Sequence, residues 1–265
     1  MTLHLIDRLA VEEEGDGPVV VCVHGLGGSS NSWTPVMPAL ARHRTIRVDL
    51  PGSGRSQGAE GPLSIERYVQ SLLDVCSRLG VTRAHWLGHS MGTIVCQHVA
   101  VARPKLVASL ALFGPLMAPP DAARSAMLQR AGKARTGTAG MQEITQALLG
   151  AAISSDTRQR LPVAVAYVRE SLMRQSGEAY ARSCEALAGA QPAGVEGITA
   201  PVLLVTGDED GVAPPQAVRA MADRLHNAAS KRVVVLPRCG HWTPVERPEE
   251  CQRELREFLQ ANSRS

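Results

Sequence analysis

The sequence predicts an α/β protein: a mostly parallel, doubly wound sheet covered by helices on both faces, with a block of helices inserted after the strand near 107–113. Three observations carry this. Short, largely apolar runs at 19–23, 46–48, 84–87, 107–113, 202–205 and 233–236 read as strands buried on both faces. Segments of helical periodicity lie between most of them. One junction, at 88–92, is a glycine-flanked turn leading from a strand into a helix.

Taken in order, the first element is an edge strand over 3–11. The run Val19-Val20-Val21-Cys22-Val23 ends in His24-Gly25-Leu26-Gly27-Gly28, where the glycines let backbone approach a ligand closely. The strand at 46–48 opens into a turn-rich loop, Asp49-Leu50-Pro51-Gly52-Ser53-Gly54. Over 64–79, Ile65, Tyr68, Val69, Leu72, Leu73, Cys76 and Leu79 share one stripe, with Ser64 placed to cap a helix and Gly80 to end it. The strand at 84–87 feeds a helix over 93–102, closed by Pro104. After the strand at 107–113 the rhythm changes. Residues 117–190 are Ala-rich with helical spacing, hold no strand candidate and break once, at 131–140. The rhythm then returns: strand 202–205, helix 215–225, strand 233–236, and a helix over 248–260 opened by Pro248. Residues 1–116 and 191–265 are therefore expected to form the core. Residues 117–190 are expected to form a lid over the strands' C-terminal ends, where such sheets bind ligands.

Bulk properties narrow the function classes. The chain has 265 residues, 44% apolar and 20% charged, enough for one large core. Aromatics are only 3%, so Val, Leu, Ala and Ile must fill it. The net charge is +3, with no basic run interleaved with aromatics, which argues against nucleic acid as a partner. No stretch has the length of a membrane span, and the N-terminus lacks a signal pattern. The six cysteines show no metal-ligand spacing, so neither disulfides nor zinc are expected, and a cytoplasmic setting is.

The chemistry sits at Gly88-His89-Ser90-Met91-Gly92. A serine on such a turn holds its hydroxyl clear of the backbone, and the helix behind it aims free N–H groups at the same spot. A second G-x-S-x-G match, Gly54-Arg55-Ser56-Gln57-Gly58, leads into a Gly/Pro stretch with no helix and reads as a loop. A serine hydroxyl needs a general base, and the base needs an orienting acid. Gly207-Asp208-Glu209-Asp210-Gly211 follows the 202–205 strand, and Cys239-Gly240-His241-Trp242 follows the 233–236 strand. The order is Ser90, an acid at 208–210, then His241. Spacing leaves Asp208 and Asp210 both open. His24 and His89, at strand ends, read as loop-shaping hydrogen-bonding residues. Trp33, Phe113, Met117 and Trp242 are candidates for the pocket wall, with Trp33 and Trp242 preferred.

These pieces resemble the α/β-hydrolase superfamily. They are His24-Gly25-Leu26-Gly27 with Trp33, the 49–56 loop, Gly88 to Gly92, Gly207-x-x-Asp210 with Pro214, and Gly240-His241 with Glu246 and Pro248. Within it the chain is similar to small bacterial ester and lactone hydrolases of the 3-oxoadipate enol-lactonase kind. The resemblance implies Asp210 as the acid, no catalytic role for Asp49, and an oxyanion hole made by the backbone N–H groups of Leu26 and Met91. It implies a small-molecule ester or lactone as substrate and no cofactor or metal. Carbon–carbon bond hydrolysis, acyl transfer and cofactor-free perhydrolysis use the same residues elsewhere in the superfamily, and some members bind ligands without turnover. The 117–190 segment carries nine basic and six acidic residues, read as solvated helix faces or, alternatively, as an attraction for an anionic substrate.

Overall fold

The computed structural model describes residues 1–58 and 60–263; Ala59 and the last two residues of the expected core segment lie outside the described residues. The chain opens with a hairpin, β1 (Thr2–Ile6) and β2 (Leu9–Glu14), rather than the single strand expected over 3–11. The turn is Asp7-Arg8, both at positive φ (47° and 68°). That is the backbone of a tight hairpin turn, usually built from Asn or Gly, so the sequence carries no turn signal there.

β3 (Val19–Val23) follows, then a 3₁₀ segment over Ser30–Ala39 that the periodicity did not reveal. Pro35 and Pro38 lie inside it, and proline removes the donors that a longer α-helix would need. Next come β4 (Arg44–Val48), α1 (Ile65–Arg78), β5 (Ala84–His89), α2 (Met91–Ala102) and β6 (Val107–Phe113). Ser64 caps α1 by accepting the Arg67 N–H, and Gly80, at φ 65°, leaves it. Five helices then run without a strand: α3 (Asp121–Ala134), α4 (Thr138–Ala151), α5 (Ser155–Arg160), α6 (Pro162–Met173) and α7 (Gly177–Ala188). β7 (Val202–Gly207), α8 (Pro215–Arg224), β8 (Lys231–Leu236), α9 (Thr243–Glu246) and α10 (Pro248–Asn262) complete the chain.

The eight strands form one sheet in the order β1-β2-β4-β3-β5-β6-β7-β8. From β4 to β8 every pairing is parallel; only the hairpin and its junction with β4 are antiparallel. Central strands divide their side chains between two cores. Val21, Val23, Trp86, Val202 and Leu204 face one layer with α1, α2 and α8. Val20, Cys22, Leu87, Leu203 and Val205 face the other with α10 and the 3₁₀ segment. This two-sided burial explains why those strands read as unbroken apolar runs. A third core holds α3, α4, α6 and α7 together and includes Trp242 and Val245. All six cysteines are buried and unbonded. Burial pushes the Cys22 and Cys76 thiols up to about 12, so both stay protonated near neutral pH. Among the described residues no helix is long and apolar enough to cross a membrane.

Candidate active site

Ser90 joins β5 to α2 with φ 53° and ψ −121°, a backbone conformation that costs a non-glycine residue about 1–3 kcal/mol. Its surroundings require the nearby glycines. A Cβ on Gly92 would stand 2.2 Å from the Val23 carbonyl oxygen, and one on Gly25 would stand 2.7 Å from the Ser90 Cβ. The Ser90 N–H donates to the Phe113 carbonyl at 2.9 Å, which ties the turn to β6.

The structure brings Ser90, His241 and Asp210 together from three loops at the C-terminal ends of β5, β8 and β7. The Ser90 hydroxyl lies 2.8 Å from His241 Nε2. His241 Nδ1 lies 2.9 Å from Asp210 Oδ2 and 3.1 Å from Oδ1. A carboxylate can only accept, so Nδ1 carries the proton and Nε2 is free to accept from the serine. Asp210 Oδ1 also accepts the Val212 and Ala213 N–H groups at 2.8 and 2.7 Å. Burial alone would raise its pKa, but the imidazole and these N–H groups outweigh it, and the carboxyl sits below its ordinary value. The two other acids of the loop have different partners. Asp208 accepts the Cys239 N–H at 3.0 Å, and Glu209 accepts the Ser155 N–H at 2.8 Å. Geometry thus separates acids that spacing could not.

Leu26 lines the same cavity as Ser90, and Met91 follows Ser90 as the first residue of α2. Among the described residues neither backbone N–H has a hydrogen-bond partner. A pair of free N–H groups beside a nucleophile is the arrangement that stabilises a developing oxyanion. His24 and His89 shape the surrounding loops. His24 Nδ1 donates to the Gly25 carbonyl at 2.8 Å, and its Nε2 accepts the Leu50 N–H at 2.9 Å. His89 Nε2 donates to the His241 carbonyl at 2.9 Å. Burial, with the His241 ring beside it, pushes His89 down to about 3, so it stays neutral. Asp49 accepts from the Ser30 N–H and from the Arg55 backbone and guanidinium, and touches none of the three central residues.

In front of Ser90 is a cavity of about 70 Å³, small beside the roughly 300–1,000 Å³ of usual small-molecule sites. Larger hollows elsewhere, of about 300 to 710 Å³, touch none of the three central residues. Trp242 lines the cavity; Trp33, Phe113 and Met117 do not. Trp33 is instead fully buried in the sheet core, edge-on to Phe113 with ring centroids 5.8 Å apart, and its expected place in the pocket wall is corrected to a packing position. Half of the wall comes from the inserted segment, including Met127, Arg130, Leu148, Leu172 and Tyr180, none of which the sequence singled out. A signal was present. Met127, Arg130, Ala131 and Ala134 recur at i, i+3, i+4, i+7, and Ala131 and Ala134 are buried, so Arg130 interrupts an apolar stripe.

The inserted helices are fastened to the loops that carry the site. Ser171 donates to the Gly27 carbonyl at 2.7 Å, and the His241 N–H donates to the Ala152 carbonyl at 2.9 Å. Glu246, 1% exposed, accepts three backbone N–H groups: Ser154 at 2.9 Å, Gly240 at 3.0 Å and Trp242 at 3.1 Å. It thereby pins the His241 loop to the α4–α5 connection. In Glu246→Gln one oxygen becomes an amide donor facing a donor. The expected loss is about 1–3 kcal/mol of stability, read by urea denaturation, with lower turnover because His241 loses its fixed loop. Unchanged stability would show that the amide finds other acceptors.

Comparison with known proteins places this geometry in context. Residues 18–248 match the sequence model described as the alpha/beta hydrolase fold. A relative from Acinetobacter baylyi, (E)-2-((N-methylformamido)methylene)succinate hydrolase, is 25% identical over 250 residues, spanning 94% of this chain and 92% of its own. A malate-bound thermophilic esterase from Thermogutta terrifontis superposes with a TM-score of 0.89 at 25% identity, covering 99% of this chain and 98% of the other. The enol-lactonase of Burkholderia xenovorans LB400 gives 0.88 at 26% identity, covering 98% and 100%.

Proposed function

The chain belongs to the alpha/beta hydrolase fold family, and within it we propose a serine hydrolase that cleaves a carboxylic ester or lactone of a small molecule. The observation that carries this reading is the unbroken hydrogen-bond chain Asp210–His241–Ser90 beside the free N–H groups of Leu26 and Met91. Likeness to an esterase and an enol-lactonase over nearly the whole chain supports the choice of bond.

In this mechanism Ser90 Oγ attacks the carbonyl carbon while His241 Nε2 takes the hydroxyl proton. The carbonyl oxygen becomes an oxyanion held by the Leu26 and Met91 N–H groups. Asp210 holds the imidazolium. As the tetrahedral species collapses, the carbon–oxygen bond breaks and His241 returns the proton to the leaving alkoxide. Water, deprotonated by His241, then releases the acid and restores Ser90. Water is the only co-reactant this sequence of steps requires. The inserted helices act as a lid that closes the site, and Trp242 is part of the substrate wall. The partner is a small molecule rather than nucleic acid or a membrane surface, and the setting is the cytoplasm.

Mass spectrometry after treatment with a fluorophosphonate, beside an assay of p-nitrophenyl esters and lactones, tests this. Phosphonylation on Ser90 with turnover is the expected result. Turnover with no adduct on Ser90 would overturn the assignment of the nucleophile. An adduct without ester or lactone turnover would overturn the bond class and favour carbon–carbon cleavage by the same residues.

A further inference from the structure

The sheet has two edges, β1 and β8, and they are built differently. β8 opens with Lys231-Arg232, and Arg232 is ion-paired to Glu254 and Glu257 of α10. Charged side chains of this kind keep a sheet edge from pairing with another chain. β1 reads Thr2-Leu3-His4-Leu5-Ile6. It holds no Lys, Arg, acid, Pro or Gly, and its register with β2 runs without a bulge. Leu3 is 56% exposed and Leu5 78%. Among the described residues no other strand carries an exposed large apolar side chain. We propose that two copies of this chain pair through β1, edge to edge and antiparallel across a two-fold axis at His4, so that one sheet continues into the other.

The backbone supports this pairing. β1 and β2 are joined by the two-residue turn Asp7-Arg8, so Ile6 and Leu9 face each other as a hydrogen-bonded pair. Alternation from there directs the N–H and C=O groups of His4 and Thr2 at β2, and those of Leu3 and Leu5 outward. The neighbouring strand bears out the alternation. Ala10, opposite Leu5, turns its backbone away from β1: its carbonyl accepts the Asp49 N–H at 3.0 Å and its N–H donates to Ser56 Oγ at 2.9 Å. Leu3 and Leu5 thus present both unused backbone groups and uncovered side chains on one open edge.

β1 is complementary to itself. With the axis at His4, Leu3 of one copy faces Leu5 of the other, each pair exchanges both N–H···O bonds, and the leucines of both copies lie side by side on one face. An axis at Leu5 would set Leu3 opposite the charged Asp7. An axis at Leu3 would set Leu5 opposite Met1, whose sulfur is held by Arg47 at 3.7 Å. Charges beside the strand are already balanced. Glu12, behind the leucines, is engaged by Arg47 and Arg55; on the other face Glu13 is engaged by His4 and Arg44. No row of like charges meets its mate across the axis. A second copy therefore satisfies the backbone and covers the leucines together, whereas an unrelated extended chain matches the backbone alone.

Sedimentation equilibrium over a concentration series tests this. The wild-type protein is expected to pass reversibly from one chain to two by about 100 µM, where even a weak specific pair is populated. Leu3→Lys with Leu5→Lys should weaken association by about a hundredfold or more. Leu5→Pro removes an outward N–H and no β1–β2 bond, and should weaken it by about tenfold. Both variants should melt near the wild-type temperature. The register has its own readout. His4 of the two copies would form a non-hydrogen-bonded pair with Cα atoms about 4.5 Å apart, within reach of a disulfide. His4→Cys should therefore cross-link the pair on oxidation and Thr2→Cys should not, and the native cysteines, all buried, give no background. A wild-type protein that stays monomeric throughout, a dimer indifferent to both the Lys and the Pro substitutions, or cross-linking through Thr2→Cys and not His4→Cys would each overturn the proposal. A monomer that takes up an extended peptide along β1 would overturn the second copy as its occupant.

Discussion

Ser90→Ala is expected to lower kcat/KM for any ester or lactone the protein cleaves by on the order of 10⁴-fold or more, with little change in stability. The substitution removes one oxygen. It leaves the strained turn, the Ser90-to-Phe113 backbone hydrogen bond and the free N–H groups of Leu26 and Met91 in place. What remains is a site that binds and polarises a carbonyl with nothing to attack it. Asp210→Asn should cost about as much for a different reason. The amide can face His241 Nδ1 with its NH₂ group, which favours the tautomer whose proton sits on Nε2, the atom that must accept from Ser90. Asp208→Asn is the control, because Asp208 holds only the Cys239 N–H. Its effect on turnover should be small. Steady-state rates on one ester, with melting temperatures for all three variants, check the set. Near-normal turnover in Ser90→Ala would remove the serine mechanism altogether.

The order of site residues along the chain was legible because the fold dictates it. Each member lies just past a parallel strand, and a buried parallel strand writes itself as an apolar run whose end is easy to locate. The choice among Asp208, Glu209 and Asp210 was not legible from spacing. It depends on which carboxylate the turn after β7 directs at His241, and that turn is set by hydrogen bonds from Val212 and Ala213 and from Cys239. Trp33 shows the opposite difficulty. A tryptophan shortly after a glycine loop suits a pocket wall or a core equally well, and the path of the proline-bearing 3₁₀ segment decides for the core. Half of the pocket wall escaped because inserted helices show which face is apolar but not which core they dock on. The Arg130 interruption of the α3 stripe could have been seen in the sequence. Its meaning needed the cavity on the other side.

Gly92→Ala is expected to destabilise the protein by about 3 kcal/mol or more, a drop in melting temperature of roughly 6–12 °C, and to abolish labelling of Ser90. The added methyl has no place to go. Its carbon would stand 2.2 Å from the Val23 carbonyl oxygen and 2.7 Å from that of His24, main-chain atoms at the end of β3 and at the start of the loop that carries the Leu26 N–H. Relief requires α2 to move away from β3. Such a shift separates Ser90 and Met91 from Leu26, and catalytic geometry tolerates displacements well under 1 Å. Gly132→Ala provides the contrast. Gly132 lies inside α3 with nothing within 4 Å of the added carbon, so the same substitution should stabilise by about 0.5–1 kcal/mol. Opposite signs in one denaturation series would show that the elbow glycines are kept by crowding between β3 and α2, not by a general need for backbone freedom. If Gly92→Ala were as stable as Gly132→Ala and still took up the probe on Ser90, the close approach of these two elements would not be what holds Ser90 in position.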